Sequence, residues 1–292
     1  MRFRVLNWGS IFPSIEDGGH QVFGDKIPSQ LFGQNDAHQA HGARDDGQLI
    51  MDSQRTPRRL NKNPLIDVSA EIRFESDIPA QVIVGLVFAD VKDVFGAPKA
   101  LPITQLPSAL IEKDPNLRYQ SQFRFEAKGH TLLLGPRNIA IGTNPYVDWA
   151  TLSPLLVKMY ERFDRAGLFK TVERVGLRFI NFLEGLNVFE HSTLTLAIDG
   201  ASLASRKLML RAEHTDGDLT TILQFTNVAA TDERDSKVGS ILDIDVVTNK
   251  ILDGRTRAEA LVNTLAAENH AAERQFFGVL SPDLIASFEP QY

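Results

Sequence analysis

Between Ile66 and Glu75 the chain alternates without a break. Ile66, Val68, Ala70, Ile72 and Phe74 are apolar, and Asp67, Ser69, Glu71, Arg73 and Glu75 are polar or charged. Side chains of an extended strand point to opposite faces in turn, so this segment is satisfied only as a strand with one dry and one wet face. Such a strand needs neighbours for its backbone and a covering layer for its apolar side. A sheet with helices packed against one face meets both needs.

The rest of the chain supplies the parts. Strands are expected at Tyr119–Ala127, Thr131–Leu134 and Asn138–Gly142, the last two separated by the turn pair Gly135-Pro136. Further strands follow at Thr171–Leu183, Thr193–Asp199, Ser205–His214, Leu219–Val228 and Val238–Thr248. A first helix is expected between Asp77-Pro79 and Gly96, with Ile83, Leu86, Val87, Val91, Val94 and Phe95 on its inner stripe. The prolines 98, 102 and 107 then mark an irregular connection. A second helix runs from a cap at Asp148 to Gly167, with Trp149, Leu152, Leu155, Leu156, Met159, Tyr160 and Phe163 on its inner stripe. The last starts at Thr256, in capping-box spacing with Glu259, and presents Leu261, Val262, Leu265, Ala272, Phe276 and Val279. The fold class is therefore α+β: mainly antiparallel sheet, two or three long helices on one face, and two similar β-rich halves (63–185 and 190–285) each closed by a helix.

Residues 1–62 differ. They are rich in Gly, Gln, His and Asp, and Gly33–Gly47 holds almost no large apolar residue, too little to offset the entropy of ordering. This segment reads as a mostly disordered arm with a short ordered patch near Val5–Trp8, ahead of a single domain over 63–292. His38 and His41 read as solvated, and Arg55, Arg58, Arg59 and Lys62 as a solvated basic linker.

Composition excludes several chemistries. There is no cysteine, so disulfides, zinc–thiolate sites, iron–sulfur clusters and cysteine nucleophiles are out. With 31 basic against 37 acidic residues the formal charge is −6, which argues against nucleic acid as the partner. No run reaches the ~20 apolar residues of a membrane helix. Asn7, Trp8, Gly9 and Ser10 interrupt any leader-like stretch, so a cytoplasmic, soluble protein is expected. The phosphate-loop, dinucleotide, His-Glu-x-x-His and Gly-x-Ser-x-Gly signatures are missing.

Four segments together resemble a sporadically distributed bacterial family of uncharacterised proteins. Asn63-Pro-Leu-Ile-Asp-Val-Ser-Ala-Glu-Ile-Arg-Phe74 is similar to its proline-led first strand, and Asn144-Pro-Tyr-Val-Asp-Trp149 to its Tyr-x-x-Trp signature. Glu173-Arg-Val-Gly-Leu-Arg-Phe-Ile-Asn181 matches its Arg-x-Gly-Leu-Arg-Tyr-x-Asn core most closely. Leu242–Val246 and His270–Phe277 resemble its closing strand and helix. The resemblance spans about residues 63–285 and leaves out the arm. It implies an accessory role, associated with mobile or defence genes, and supplies no catalytic residues.

The candidate ligand-binding residues are charged groups sharing strand faces: Glu71 and Arg73, Arg174 and Arg178, Asp243 and Asp245, with Asn181 and His270 beside them. Gly176, between the arginines, leaves room for a ligand or a neighbouring chain. Converging inside a curved sheet, these groups could bind phosphate or a metal–phosphate complex. Solvent-facing, they form only a ladder of cross-strand ion pairs, with the arginine row neutralising the aspartates. Asn181 could equally satisfy a turn, and His270 could be an acid–base group or a helix-surface residue. The leading expectation is a non-enzymatic binding or regulatory domain with an unidentified protein or small-molecule ligand. The alternative is a metal-dependent phosphoester or nucleotide enzyme using Glu71, Asp243 and Asp245 with the three arginines. That alternative loosely resembles the triphosphate tunnel enzymes, although Glu71-Ile-Arg-Phe-Glu75 departs from their Glu-x-Glu-x-Lys start. Nothing in the residues specifies a cofactor, a metal ligand set or an oligomeric state.

Overall fold

A computed structural model of the chain describes residues 56–115, 117–146, 148–230, 237–252 and 257–292. Its strands are β1 (Arg59–Leu60), β2 (Leu65–Glu75), β3 (Lys99–Ala100), β4 (Phe123–Ala127), β5 (His130–Leu134), β6 (Asn138–Thr143), β7 (Thr171–Glu184), β8 (Ala197–Ile198), β9 (Ala201–Ser202), β10 (Met209–Asp216), β11 (Leu219–Ala230), β12 (Val238–Thr248) and β13 (Pro290–Gln291). The helices are α1 (Ala80–Val91), α2 (Ser108–Lys113), α3 (Trp149–Arg165), α4 (Arg257–Val279) and α5 (Pro282–Ser287).

Nine strands make one antiparallel sheet in the order β10-β11-β12-β7-β2-β6-β5-β4-β3. Read outward from the middle, the first half runs β2, β6, β5, β4 and the second β7, β12, β11, β10. Both halves thus place their first strand beside their last long one and meander back to the edge, and each is followed by a long helix, α3 or α4. The topology puts the boundary before β7, not after it at residue 185, because β7 is the opening strand of the second half. The α+β architecture with a mainly antiparallel sheet and helices on one face is therefore present.

The alternation read at Ile66–Glu75 decides which face is covered. Val68, Ala70, Ile72 and Phe74 are buried, joined by Val175, Leu177 and Phe179 of β7 and by Leu242, Ile244 and Val246 of β12. α3 lays Leu152, Leu156, Met159, Tyr160 and Phe163 on this layer. Leu261, Leu265, Ala272, Phe276 and Val279 of α4 join the same core. Tyr160 donates its hydroxyl to the Ala70 carbonyl at 2.7 Å, which ties α3 to the centre of β2. Asp148 caps α3 by accepting from the Thr151 amide at 2.7 Å, and Gly167 follows it at φ +74°.

Several sequence expectations need correction. α1 is shorter than expected, so Val94 lies beyond it and is exposed. Val262 also faces solvent, and buried Glu268 and Asn269 take places on the α4 inner side. The strand expected at Thr193–Asp199 shrinks to the two residues of β8, because the chain after Gly185 bonds to the end of α4 instead of the sheet, Thr193 N–H to the Val279 carbonyl and Ser281 N–H to the His191 carbonyl. The Pro98–Pro107 connection carries β3 and a 3-10 turn at Pro102–Gln105. The arm falls mostly on residues 1–55, with Val5–Trp8, His38 and His41, outside the described residues. Its last part is seen: Arg59 and Leu60 pair with Gln291 and Pro290, and Lys62 meets Glu289 at 2.7 Å. Thr256 is likewise outside the described residues. No described helix is long and apolar enough to cross a membrane.

Tyr160→Phe leaves the packing intact and removes one buried bond. Urea unfolding should show a loss of about 1–2 kcal/mol, whereas Leu156→Ala should cost about 2–5 kcal/mol. An unchanged midpoint for both would remove α3 from the core.

Candidate functional site

The polar face of the sheet gathers the charged rows. Register pairs Ser69 with Arg178, Glu71 with Gly176 and Arg73 with Arg174 across β2 and β7. It pairs Arg178 with Asp245 and Ile180 with Asp243 across β7 and β12. Because partners in register share a face, Glu71, Arg73, Arg174, Arg178, Asp243 and Asp245 all project from the side away from α3 and α4.

There they neutralise one another. Arg178 grips Asp243 in a two-pronged bond, Nε to Oδ1 at 2.9 Å and an amino nitrogen to Oδ2 at 2.5 Å. Gln224 of β11 adds a longer bond to the same carboxylate at 3.4 Å. Arg174 lies between Glu71 at 3.4 Å and Asp245 at 3.6 Å. Arg73 meets Glu71 at 3.3 Å and sits 4.6 Å above the Tyr119 ring. Tyr119 in turn donates to Glu173 at 3.0 Å, and Asn138 reaches Glu71 at 3.5 Å. The result is an ionic ladder across three strands, β2, β7 and β12, with neutral Gln224 and Asn138 at its flanks.

The ladder is half-buried: the Arg73 and Arg174 side chains are 15% and 14% exposed, and that of Asp243 only 8%. Burial shows in its chemistry. Desolvation raises Asp67 to about 6, with Arg178 pulling it down and Asp243 pushing it up. Desolvation also raises Asp245, against the lowering charges of Arg174 and Arg178. Burial works against the charge of Arg178, but the bond and charge of Asp243 outweigh it and hold the guanidinium above its ordinary range.

The remaining candidates lie elsewhere. Asn181 points to the helix-covered face, buried within β7, and donates to the Leu242 carbonyl at 3.1 Å. It is neither at a turn nor in the ladder. His270 is exposed on the outside of α4. The room left by Gly176 is taken by the neighbouring strand, since a Cβ there would stand 3.1 Å from Val247 Cγ1 and 3.8 Å from Asp245 Oδ1. Beside Arg178 and Asp243 only a small hollow opens, floored by Ile180, Ile241 and Met209. Among the described residues no three His, Asp or Glu side chains are grouped so as to hold a metal ion.

One group escaped the sequence reading. Glu268 occupies an inner position of α4, three residues after Leu265 and four before Ala272, and is fully buried. Among the described residues its carboxylate oxygens make no well-formed hydrogen bond. Desolvation drives its pKa well above the usual carboxylate range, the Asp245 charge adds to the rise, and Arg174 and the Thr248 backbone only partly offset it. Burial with so little compensation favours the neutral form of this carboxyl. The signal was present in the i, i+3, i+4 spacing, but a glutamate on that stripe reads as a stripe boundary.

Neither the protein-family models nor the curated proteins compared with this chain match it.

The sign of the Glu268 effect follows from linkage. A carboxyl whose folded pKa is raised lets the native state hold a proton that the unfolded chain has released, so stability falls as pH climbs above the ordinary value of ~4.3. Asp67 acts in the same direction between about pH 4 and 6. Glu268→Leu should therefore melt at least ~3 °C above the parent at pH 7.5, with the gap narrowing toward pH 5. Thermal melts across that range check it, and a gap that does not change with pH would show Glu268 to be ionised in the fold.

Proposed function

We propose that this chain is a non-enzymatic binding or regulatory protein, in which the charged sheet face serves the fold and does not perform chemistry. One observation carries the reading: each arginine of the candidate set is already matched to a carboxylate of the same set. A phosphate-binding site keeps guanidinium donors free for the incoming anion. Here Arg178 spends both prongs on Asp243, and Arg174 is shared between two acids. The phosphoester-enzyme alternative asks Glu71, Asp243 and Asp245 to converge, yet arginines stand between them.

The negative overall charge favours a protein or small-molecule partner over nucleic acid, and the sequence resemblance adds a bacterial accessory role, associated with mobile or defence genes. A cytoplasmic setting fits a chain without cysteine.

A thermal-shift screen with nucleotides, polyphosphates and divalent metals tests the assignment. Any rise they cause should be as large in Arg178→Ala as in the parent, and Arg178→Ala should melt several degrees lower with or without them. A saturable rise with any nucleotide, lost in Arg178→Ala, would restore the enzyme alternative.

A further inference from the structure

A cavity of about 560 Å³ lies away from the ionic ladder, between α1 and the excursion that carries the 3-10 turn and α2. Its size falls within the range of small-molecule sites, ~300–1,000 Å³. The floor is apolar, formed by Ile83, Ile111 and Phe123, the first two of them buried. Two guanidinium groups join this lining, Arg118 and Arg137, against the single carboxylate of Glu112.

The two arginines are far less committed than those of the ladder. Arg118 stacks 4.9 Å from the Tyr119 ring, which fixes its plane, and its Nε is buried without a hydrogen-bond partner. Arg137 reaches Glu75 only at 3.9 Å, the outer limit of an ion pair. The Arg118 Nε is enclosed, so an incoming oxyanion would meet the outer nitrogens of the guanidinium fork instead. The first residues of α1, Ala80 and Gln81, border the same cavity, and that helix has neither a side-chain cap nor an acidic residue in its first turn. Its positive end adds to the field of the arginines.

We propose that this cavity is a binding site for a small organic anion, with an oxyanion head held by Arg118 and Arg137 and an apolar body laid on Ile83, Ile111 and Phe123. The assignment deepens the binding reading above, on which it rests for the consequence of occupancy. Carboxylate and phosphate heads share the chemistry that the guanidinium fork recognises.

Octanoate, octyl phosphate and the uncharged octanamide serve as probes, read by calorimetry and thermal shift on the full chain. At least one of the two anions should bind saturably and raise the melting temperature by 2 °C or more, and whichever does so identifies the head group. Octanamide should bind at least tenfold more weakly. Arg118→Gln should weaken the anion at least tenfold, and Ala80→Trp, which narrows the exposed mouth without touching the core, should do the same. Equal binding of octanamide, silence of both anions, or full binding to both variants would overturn the site. NMR of the recovered probe separates the two readings: an unchanged probe supports binding without chemistry, while a converted one overturns the non-enzymatic reading and leaves the site supported.

Discussion

β2 and β7 lie side by side at the middle of the sheet, and every other long strand takes its place from that pairing. The two strands share ten residue pairs, from Leu65 opposite Asn181 to Glu75 opposite Thr171, with bulges near each end. On one face their apolar residues form the floor on which α3 and α4 rest. On the other the same backbone register sets Glu71, Arg73, Arg174 and Arg178 in reach of one another and of the aspartates of β12. Core and ladder are thus two consequences of one alternation, and a slip of one residue would exchange them.

The ladder has a physical cost that its geometry answers. Half-buried carboxylates at the centre of a sheet lose hydration, and an unpaired one would favour its neutral form. The paired arginines supply the compensating charge, most completely at Arg178 and Asp243. Where compensation is weaker the rise remains, as at Asp67 and Asp245. Glu268 is the extreme case, buried on the covered face of the sheet with only Arg174 and the Thr248 backbone as a partial offset. The protein therefore carries ionisable groups on both sides of one sheet, and those with raised pKa values make its stability fall as pH rises toward neutrality.

Much of this architecture was legible in the residues because period-two and helical patterns report burial directly. Val238–Thr248 was delimited to the residue, and the shared face of Arg174, Arg178, Asp243 and Asp245 followed from parity alone. Partners across strands were not legible, since pairing depends on which strands are neighbours. So Gly176 could have faced a ligand, and it is Val247 that fills its space. Asn181 was misplaced because a polar residue near a strand end reads as a turn, whereas here its amide satisfies a buried carbonyl of β12. The cavity at Arg118 depends on how the proline-punctuated excursion folds back over α1, which no local pattern specifies.

Whether the polar face is internal structure can be measured as a coupling energy. A double-mutant cycle on Arg178→Ala and Asp243→Ala, followed by urea unfolding, isolates the interaction of the two side chains from their separate effects. A mostly buried, two-pronged pair should give a coupling of about 1–3 kcal/mol, with the double variant much less damaged than the sum of the singles. Additivity within ~0.5 kcal/mol would mean that Arg178 and Asp243 do not hold each other in solution, and the ladder would then be free to serve a ligand.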